Sequence, residues 1–413
     1  MGVLMGLMGE DPATVGIDTV GEKMEKVKKD GTLLLDGQKS IVFPFRESIV
    51  FDFERPCPVH PNTLIFSIVL EDKTAFEYTY YSVGGGFIEK KDHVEEEGSQ
   101  LKKFPYPMKK AKELVDYVEK EEKRMHEIIF ENEIAVRSKE EVRAYALKIY
   151  EVMSTSIFRG CHSSGTLPGG LSVRRRAAGI AKTLYKGGAY KDKDQWFANI
   201  RQTASHHFDE VSRWVMCFAL AVNEENAVSG RIVTAPTNGA AGVIPAVLMY
   251  YLTFDPSADI DREEKIIQFL LIASQIGFFF KKNASISAAA AGCQGEIGVS
   301  SSMAAGALSY VNGGDVKRVL MASEMAMEHH LGLTCDPIKG LVQVPCIERN
   351  TMGAIKALAS SNLALSSDPE KAVVNLDDVI STMWSTAKDM SSKYKETSEG
   401  GLAVQVSSRY SEC

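Results

Sequence analysis

The spacing of apolar residues changes once along this chain, and that change limits the fold more than any other feature. Between residues 40 and 87, apolar residues alternate with other residues, as in Leu64, Phe66 and Ile68. Such alternation is typical of strands with one buried face. Beyond residue 105, apolar residues recur every three or four positions, which is typical of helices. The sequence therefore predicts a small sheet followed by a large helical region.

At least three strands are predicted in the first region, separated by turn residues, so an antiparallel sheet is expected. These strands are residues 49–53, 64–70 and 76–80. Residues 89–103 are rich in charge, as expected of a solvated linker, and we place the domain boundary there. The prediction is an α+β protein, with a small antiparallel-sheet β domain at 1–105 and a large all-helical domain at 106–413.

Helix signals are clear in the second region. Ser138 and Glu141 have the spacing of a capping box, in which each side chain caps the backbone N–H of the other. Similar periodic stretches follow at 208–226, 262–280, 314–330 and 376–392. Gly, Ala and Ser dominate residues 284–307, and small side chains let neighbouring helices approach closely. A helical domain with a closely packed centre is therefore expected.

Composition excludes several classes of partner. The chain has 47 Lys and Arg against 54 Asp and Glu, so it lacks the excess of positive charge that nucleic acid binding needs. Its longest apolar run, residues 266–280, contains Gln268 and Gln275 and is shorter than the ~20 residues that cross a membrane. We therefore expect neither nucleic acid nor a membrane as a partner.

The seven cysteines indicate a reducing location. An odd number in a chain without a secretory signal argues against a disulfide framework, so a cytoplasmic protein is expected. Three of them, Cys293, Cys335 and Cys346, lie within three residues of Gly or Pro. Thiolates presented from irregular backbone, with N–H groups nearby, are typical of metal-cluster ligands.

Spacing alone leaves a second interpretation open, because a free cysteine often serves as a small buried apolar residue. We expect that role for Cys57, Cys161 and Cys217. No pair of cysteines has the C-x₂-C spacing of a zinc ribbon or finger. Metal binding by Cys293, Cys335 and Cys346 is therefore a hypothesis if spacing is the only guide.

Four long segments resemble the iron–sulfur-dependent L-serine dehydratases. They start with NEENAVSGRIV at 223, KKNASISAAAAGCQGE at 281, EHHLGLTCDP at 328 and KDMSSKYKE at 388. The similarity extends upstream through YYSVGGGF at 80–87 and GTLPGGLSVRRRA at 165–177, so it covers nearly the whole chain. The resemblance implies that Cys293, Cys335 and Cys346 hold a [4Fe–4S] cluster. It also implies a small β domain packed on a helical α domain, and it favours a homodimer.

The activity implied by this resemblance is that of an L-serine ammonia-lyase. Three protein ligands leave one iron open, and an open iron is a Lewis acid that can bind the substrate hydroxyl and carboxylate. Loss of water gives aminoacrylate, which tautomerises to an imine and hydrolyses to pyruvate and ammonia. No pyridoxal phosphate is implied. Two alternatives stay open: a cysteine desulfidase, and a cluster protein that turns over no substrate.

Polar residues beside Gly- or Pro-marked turns are the candidates for contact with this substrate. Residues 282–287 precede the first ligand, residues 237–238 lie on the turn TAPTNG, and residues 82–86 end a strand where bare backbone can approach a ligand. We predict catalytic roles for Lys282, Asn238 and Ser285. We predict substrate binding by Ser82, Gly85, Thr237, Asn283 and Ser287.

The N-terminus departs from the family pattern. The family carries a Gly-Pro-Ser-Ser-Ser-His-Thr segment and a second His-rich segment, and neither occurs in this sequence. We therefore expect either a start upstream of Met1 or a shortened product with slow turnover. The general base and a requirement for a monovalent cation are left open.

The C-terminus offers a further candidate ligand. Cys413 carries both an α-carboxylate and a thiol, so it resembles serine with its amine acylated and its hydroxyl replaced by sulfur. The pair Gly400 and Gly401 provides a hinge before it. We predict that Cys413 is the fourth ligand and fills the open iron.

Overall fold

The computed structural model describes residues 1–52, 59–60, 62–91 and 104–407. The chain divides into two compact units: unit 1 comprises residues 1–59 with 229–231, and unit 2 comprises residues 60–228 with 232–413. Most of the charged run at 89–103 lies outside the described residues. The predicted boundary between residues 105 and 106 therefore stays a prediction.

Unit 1 is a small α+β unit built around a helix and a hairpin. Its elements are α1 (Gly2–Leu7), α2 (Ile17–Asp30), β1 (Thr32–Leu35), β2 (Lys39–Val42) and α3 (Phe45–Ser48). Val20, Met24 and Val27 recur at intervals of four and three, which places them on one buried face of α2. Val20 and Met24 pack with Leu33 of β1, which pairs with Ile41 in the antiparallel hairpin.

The strand predicted at residues 49–53 is wrong within the described part of the chain. Residues 49–52 form no strand, and residue 53 lies outside the described residues. Pro44 lacks the N–H that a ladder needs and precedes the helical turn α3, after which Ile49 packs against the core of unit 1. Within residues 49–52, the alternation therefore reflects the anchored side chain of Ile49 rather than a paired strand.

The other two predicted strands are confirmed, and they lie in unit 2. The sheet has β3 (Thr63–Val69), β4 (Ala75–Ser82) and β5 (Ile88–Lys90), antiparallel in the order β3-β4-β5. Phe66 pairs with Tyr78 and meets the ring of Tyr80 edge-on, at 5.8 Å between centroids. Aromatic contacts of this kind stabilise a small sheet.

The rest of unit 2 is helical, which confirms the predicted α+β class. Its helices are α4 (Ala111–Glu121), α5 (Met125–Ile134), α6 (Lys139–His162), α7 (Ala177–Leu184), α8 (Lys193–Thr203), α9 (Phe208–Ala227), α10 (Val243–Phe254), α11 (Arg262–Asn283), α12 (Ala288–Ala291), α13 (Ile297–Val311), α14 (Val316–Glu328), α15 (Cys346–Leu365), α16 (Leu376–Asp389) and α17 (Gly401–Ser407). The predicted capping box opens α6, where Ser138 Oγ accepts the Glu141 N–H at 3.2 Å. No helix among the described residues has the length and apolar character needed to cross a membrane.

Helix α13 packs against α10, α11, α14 and α15 at the centre of unit 2. Its three consecutive serines are fully buried, and each hydroxyl donates to a backbone carbonyl of a neighbouring segment. Ser300 donates to Ala235 at 2.7 Å, and Ser301 donates to Gly353 at 2.8 Å. Small residues at this helix allow the close approach that the run at 284–307 predicted, and the structure adds that the serine hydroxyls are hydrogen-bonded.

Candidate active site

The three predicted metal ligands lie at the ends of helical segments in unit 2. Cys293 opens a 3-10 turn, Cys293–Gly295, between α12 and α13. Cys346 is the first residue of α15, and Cys335 lies in the irregular segment between α14 and α15. Their exposed fractions are only 1%, 3% and 5% for Cys293, Cys335 and Cys346 respectively. Burial therefore keeps bulk water away from all three sulfurs.

Hydrogen bonds hold the segments of Cys293 and Cys335 together. The Gln294 N–H donates to the Leu333 carbonyl at 3.0 Å, and the Gly332 N–H donates to Gln294 Oε1 at 2.9 Å. As a result, the sulfurs of Cys293 and Cys335 lie within 4.8 Å of each other. Two thiols separated by 42 residues (335 − 293) thus face one point.

Arg349 supplies positive charge to this cluster of thiols. Its Nη1 donates to Cys293 Sγ at 3.3 Å and to the Thr334 carbonyl at 2.6 Å. Its Nη2 donates to Asp336 Oδ1 at 2.8 Å. Because Arg349 lies three residues after Cys346, one turn of α15 carries both a thiol and the guanidinium that contacts another thiol.

The electrostatics favour ionisation of one thiol of the pair. The hydrogen bond from the Cys335 thiol, together with the charge of Arg349, lowers the pKa of Cys293. The same hydrogen bond and burial raise the pKa of Cys335. Burial also raises the pKa of Cys346, and the negative charge of Cys293 adds to this effect. A cation or a metal cluster bound here would offset the repulsion between the ionised sulfurs.

This donor set fits a metal cluster held by thiolates. Soft sulfur ligands select soft metals and iron–sulfur clusters over hard cations such as magnesium and calcium. Cys346 begins a helix, whose N-terminal N–H groups and dipole favour the negative charge of bound thiolates. The three thiols, the helix terminus and Arg349 are therefore the parts of unit 2 that would hold such a group.

Asn350 connects the helix of Cys346 to the loop at 234–242. Its side chain is fully buried, and its Nδ2 donates to the Gly239 carbonyl at 2.7 Å and the Cys346 carbonyl at 2.8 Å. Its Oδ1 accepts the Gly242 N–H at 2.9 Å. The position of Cys346 is therefore tied directly to the loop that carries Thr237 and Asn238.

The last turn of α9 holds the same loop from its other side. Asn226 Nδ2 donates to Asn238 Oδ1 at 3.2 Å and to the Val233 carbonyl at 2.8 Å. Asn238 is exposed, whereas Thr237 is 4% exposed and its hydroxyl accepts the Ala240 N–H at 3.3 Å. Thr237 and Asn238 thus belong to one rigidly held turn.

The glycine turn after β4 meets this loop and the segment before Cys293. Gly85 has φ +63°, and a Cβ there would lie 2.9 Å from both the Pro236 carbonyl oxygen and Ile286 Cδ1. Only glycine allows such an approach without strain. Ser82, at the end of β4, is partly buried. The structure therefore brings Gly85 next to residues 236 and 286, and Gly84 next to residues 286 and 287.

The predicted residues at 282–287 are placed differently from one another. Ser287 is buried, and its N–H donates to Ser285 Oγ at 3.1 Å, close to the Cys293 turn. Asn283 is exposed, and its Nδ2 donates to the carbonyls of Lys109 and Phe279, at 2.7 and 2.9 Å. Lys282 is partly buried in the last turn of α11. The amide of Asn283 is thus engaged by backbone carbonyls, whereas Ser285 and Ser287 lie beside the Cys293 turn, where a Cβ at Gly295 would be 3.3 and 3.4 Å from their carbonyl oxygens.

Sequence reasoning missed one acidic residue among these groups. A carboxylate oxygen of Glu296 and the sulfurs of Cys293 and Cys335 all lie within 4.8 Å of one another. Burial raises the pKa of Glu296 well above its usual range, although a hydrogen bond from Thr237 opposes the shift. Glu296 follows Cys293 by three residues, and that helical spacing was the available signal.

Sequence reasoning also missed the residues around Cys335. The Cys335 carbonyl accepts the Glu396 N–H at 2.8 Å, and the Glu396 carboxyl is hydrogen-bonded to the side chain of Asn62. His60 Nδ1 accepts the Asn62 N–H at 3.1 Å, and burial lowers the pKa of this imidazole. His60 and Asn62 immediately precede β3, and no spacing pattern connects them to Glu396.

The remaining cysteines differ in what the structure describes. Cys161 and Cys217 are buried, with sulfurs 3.7 Å apart, which confirms the predicted apolar role. Cys57 lies outside the described residues. Cys413 also lies outside them, so its assignment as a fourth ligand stays a prediction. Nearer to the site, Asp336 Oδ2 accepts the Leu402 N–H at 2.8 Å and holds the start of α17.

Comparison with known proteins agrees with this arrangement. Residues 109–403 match the serine dehydratase alpha chain family, and residues 1–93 match the serine dehydratase beta chain family. The L-serine dehydratase of Streptomyces coelicolor is 44% identical over 407 residues, covering 98% of this chain and 85% of that protein. L-serine dehydratase 2 of Escherichia coli and the L-serine dehydratase of Haemophilus influenzae are 42% and 43% identical, with the same coverage.

A helical unit that brings two buried thiols together, with a third buried thiol at the start of α15, defines a protein with a thiolate site suited to a metal cluster. The family matches and sequence identities show which family within this class the chain belongs to. The chain belongs to the serine dehydratase family, with segments that match the beta and alpha chains in one polypeptide. The family resemblance seen in the sequence is thereby confirmed.

Proposed function

We propose that this chain dehydrates L-serine to pyruvate and ammonia, using a [4Fe–4S] cluster held by Cys293, Cys335 and Cys346. The observation that carries the proposal is a set of buried thiols beside Arg349. The sulfurs of Cys293 and Cys335 lie within 4.8 Å of each other, and Arg349 donates to Cys293 from the same helical turn that begins with buried Cys346. Relatives of this chain are named L-serine dehydratase, so we propose L-serine as the substrate. The same names favour this activity over that of a cysteine desulfidase or of a protein without turnover.

The thiols and their neighbours hold the cluster and balance its charge. When bound, a cluster with three protein ligands supplies an iron that acts as a Lewis acid toward the serine hydroxyl. Arg349 and the N-terminus of α15 offset the negative charge of the thiolates. Burial of the three sulfurs excludes water, which strengthens these electrostatic contacts.

We infer that the substrate lies between the glycine turn and the two loops beside the thiols. Ser82 and Gly85 form one wall, Thr237 and Asn238 form a second, and Ser285 with Ser287 form a third. Support comes from the close approach of Gly85 to residues 236 and 286, and from the hydrogen bond of Thr237 to Glu296. In this arrangement, side-chain hydroxyls and the Asn238 amide orient serine next to the cluster.

Lys282 and Asn283, the other two predicted residues, lie at the end of α11. Lys282 is proposed to contribute positive charge from the last turn of α11, toward the substrate carboxylate. The amide nitrogen of Asn283 donates to two backbone carbonyls, and substrate binding by Asn283 stays a prediction from the sequence. The homodimer, the cytoplasmic location and the fourth ligand Cys413 stay predictions from the sequence.

The test is turnover by the full chain under anaerobic conditions. Protein reconstituted with iron and sulfide should form pyruvate and ammonia in equal amounts from L-serine, and removal of iron by a chelator should abolish the activity. Sulfide release from L-cysteine should be slower than pyruvate release from L-serine. Absence of pyruvate from the iron-loaded chain, or equal activity after iron removal, would contradict the proposal.

A further inference from the structure

Glu296 has a position in the candidate site that its environment does not explain. Its carboxylate lies with the sulfurs of Cys293 and Cys335, all within 4.8 Å of one another. It sits at the N-terminal end of α13, and the side chain is partly buried. The carboxyl group is thus in reach of a ligand that lies beside these two sulfurs, and a positive group on that ligand would be its natural partner.

No such positive group is supplied by the part of the chain that the structure describes. Among those residues, no Lys, Arg or His forms an ion pair with Glu296. The guanidinium of Arg349, which contacts Cys293, is engaged by Asp336 and the Thr334 carbonyl. Among the described residues, the carboxyl group of Glu296 receives a hydrogen bond from the Thr237 side chain and pairs with no cationic group. Its position beside the two sulfurs therefore suits a ligand that brings its own positively charged N–H donors.

The carboxylate is nevertheless held in one place. A Cβ at Gly239 would lie 2.7 Å from Glu296 Oε2, so the bare backbone of Gly239 forms the surface against which the carboxylate rests. The Gly239 carbonyl is in turn fixed by Asn350 at 2.7 Å and by Asn223 at 3.2 Å. Thr237 and Gly239 thus fix the carboxylate before any ligand arrives, which lowers the entropic cost of binding.

An α-amino acid carries a positively charged group that the carboxyl of Glu296 can bind. L-Serine is a zwitterion whose ammonium group has three N–H donors, and a buried carboxylate is the acceptor that binds it most strongly. The geometry points to Glu296 as the residue that binds the substrate α-ammonium group and so makes the site specific for amino acids over hydroxy acids. This assignment rests on the proposed function, because it takes the substrate to be serine.

The test uses the iron-loaded full chain and two ligands that differ only in the ammonium group and in handedness. D-Serine carries the same three groups as the substrate, whereas 3-hydroxypropanoate lacks the amine. Glu296→Gln removes the charge but keeps the shape, and Glu296→Asp keeps the charge. Calorimetric titration should show D-serine binding weakened about 100-fold in Glu296→Gln and less in Glu296→Asp, with 3-hydroxypropanoate binding unchanged. The KM for L-serine should rise in the same order.

Glu348→Gln is the matched control, since Glu348 is also close in sequence to a thiol but is exposed and paired with Arg176. Iron content and the folded fraction should be unchanged in all variants. Unchanged D-serine affinity in Glu296→Gln would overturn the inference. Loss of iron in Glu296→Gln would also overturn it, because Glu296 would then be a metal ligand.

The outcomes separate this inference from the proposed function. Pyruvate formation with an affinity that does not depend on Glu296 would contradict the ammonium site and leave the reaction intact. Binding of D-serine that depends on Glu296, in a chain that forms no pyruvate, would contradict the reaction and support the ammonium site.

Discussion

The guanidinium of Arg349 donates a hydrogen bond to the sulfur of Cys293, with 3.3 Å between Nη1 and Sγ. The same side chain binds Asp336, whose other carboxylate oxygen holds the start of α17. One partly buried arginine therefore links a thiol from the α12–α13 turn, the segment of Cys335 and α17. Its removal should affect the thiol site before it affects the fold.

Replacement of Arg349 by Gln should weaken metal retention. The change leaves Cys293 and Asp336 without their positive partner, and loss of such outer contacts costs about 10- to 100-fold in metal affinity. Iron release to a chelator, followed by absorbance, measures the effect. Arg176→Gln is the control, because Arg176 is exposed and pairs with Glu348 on the surface of α15. Equal rates of iron release in the two variants would contradict the assigned role of Arg349.

Gly85 and Gly86 provide a matched pair for the wall of the site. Both have positive φ, at +63° and +81°, so alanine at either position suffers a similar backbone cost. Only at Gly85 would the new Cβ meet neighbouring atoms, whereas nothing lies within 4 Å at Gly86. Gly85→Ala should lower the free energy of unfolding by about 1–3 kcal/mol more than Gly86→Ala, and it should raise the KM for L-serine. Chemical denaturation and pyruvate assays give the two readouts.

Glu324 should make stability depend on pH. Burial and a hydrogen bond with Glu328 raise its pKa to about 8, above the usual value of 4.5. Stability from the protonated folded form is complete below the unfolded pKa and is lost as the pH rises through about 8. Glu324→Gln removes that pH-dependent loss. The difference in free energy of unfolding between the variant and the natural chain should therefore shift in favour of the variant by about 3 kcal/mol from pH ~5 to pH ~9.

Urea denaturation at both pH values measures this difference. Glu140→Gln is the control, because Glu140 is exposed in the first turn of α6. A stability difference between Glu324→Gln and the natural chain that does not change with pH would contradict the buried, protonated state of Glu324.

Much of the helical region was predictable because its signals are local. The capping box at Ser138 and the periodic stretches at 208–226 and 262–280 correspond to α6, α9 and α11. The strand predicted at 49–53 failed because a short alternation cannot distinguish a paired strand from an irregular segment with one anchored side chain. Whether a segment pairs as a strand depends on tertiary contacts, which a local sequence pattern does not contain.

The residues of the site also differ in whether a local sequence signal marks them. The thiols were identifiable from the sequence because glycine and proline mark each of them and the family resemblance adds the ligand set. Arg349 and Glu296 were missed, although each follows a thiol by three residues, because charged residues at helical spacing are common on solvated faces. Asn350 and Glu396 act through contacts across more than 100 and 60 residues respectively (350 − 242 = 108 and 396 − 335 = 61), which no spacing pattern reveals.

The most direct measurement of the central claim is the iron and acid-labile sulfide content of single cysteine variants, prepared anaerobically. The account predicts about four irons and four sulfides per natural chain, with broad absorbance at about 400 nm. Cys293→Ser, Cys335→Ser and Cys346→Ser should each lose most of both, whereas Cys217→Ser, which removes another buried thiol, should keep them. Full iron and sulfide content in any one of the first three variants would contradict the claim that these three thiols hold the cluster.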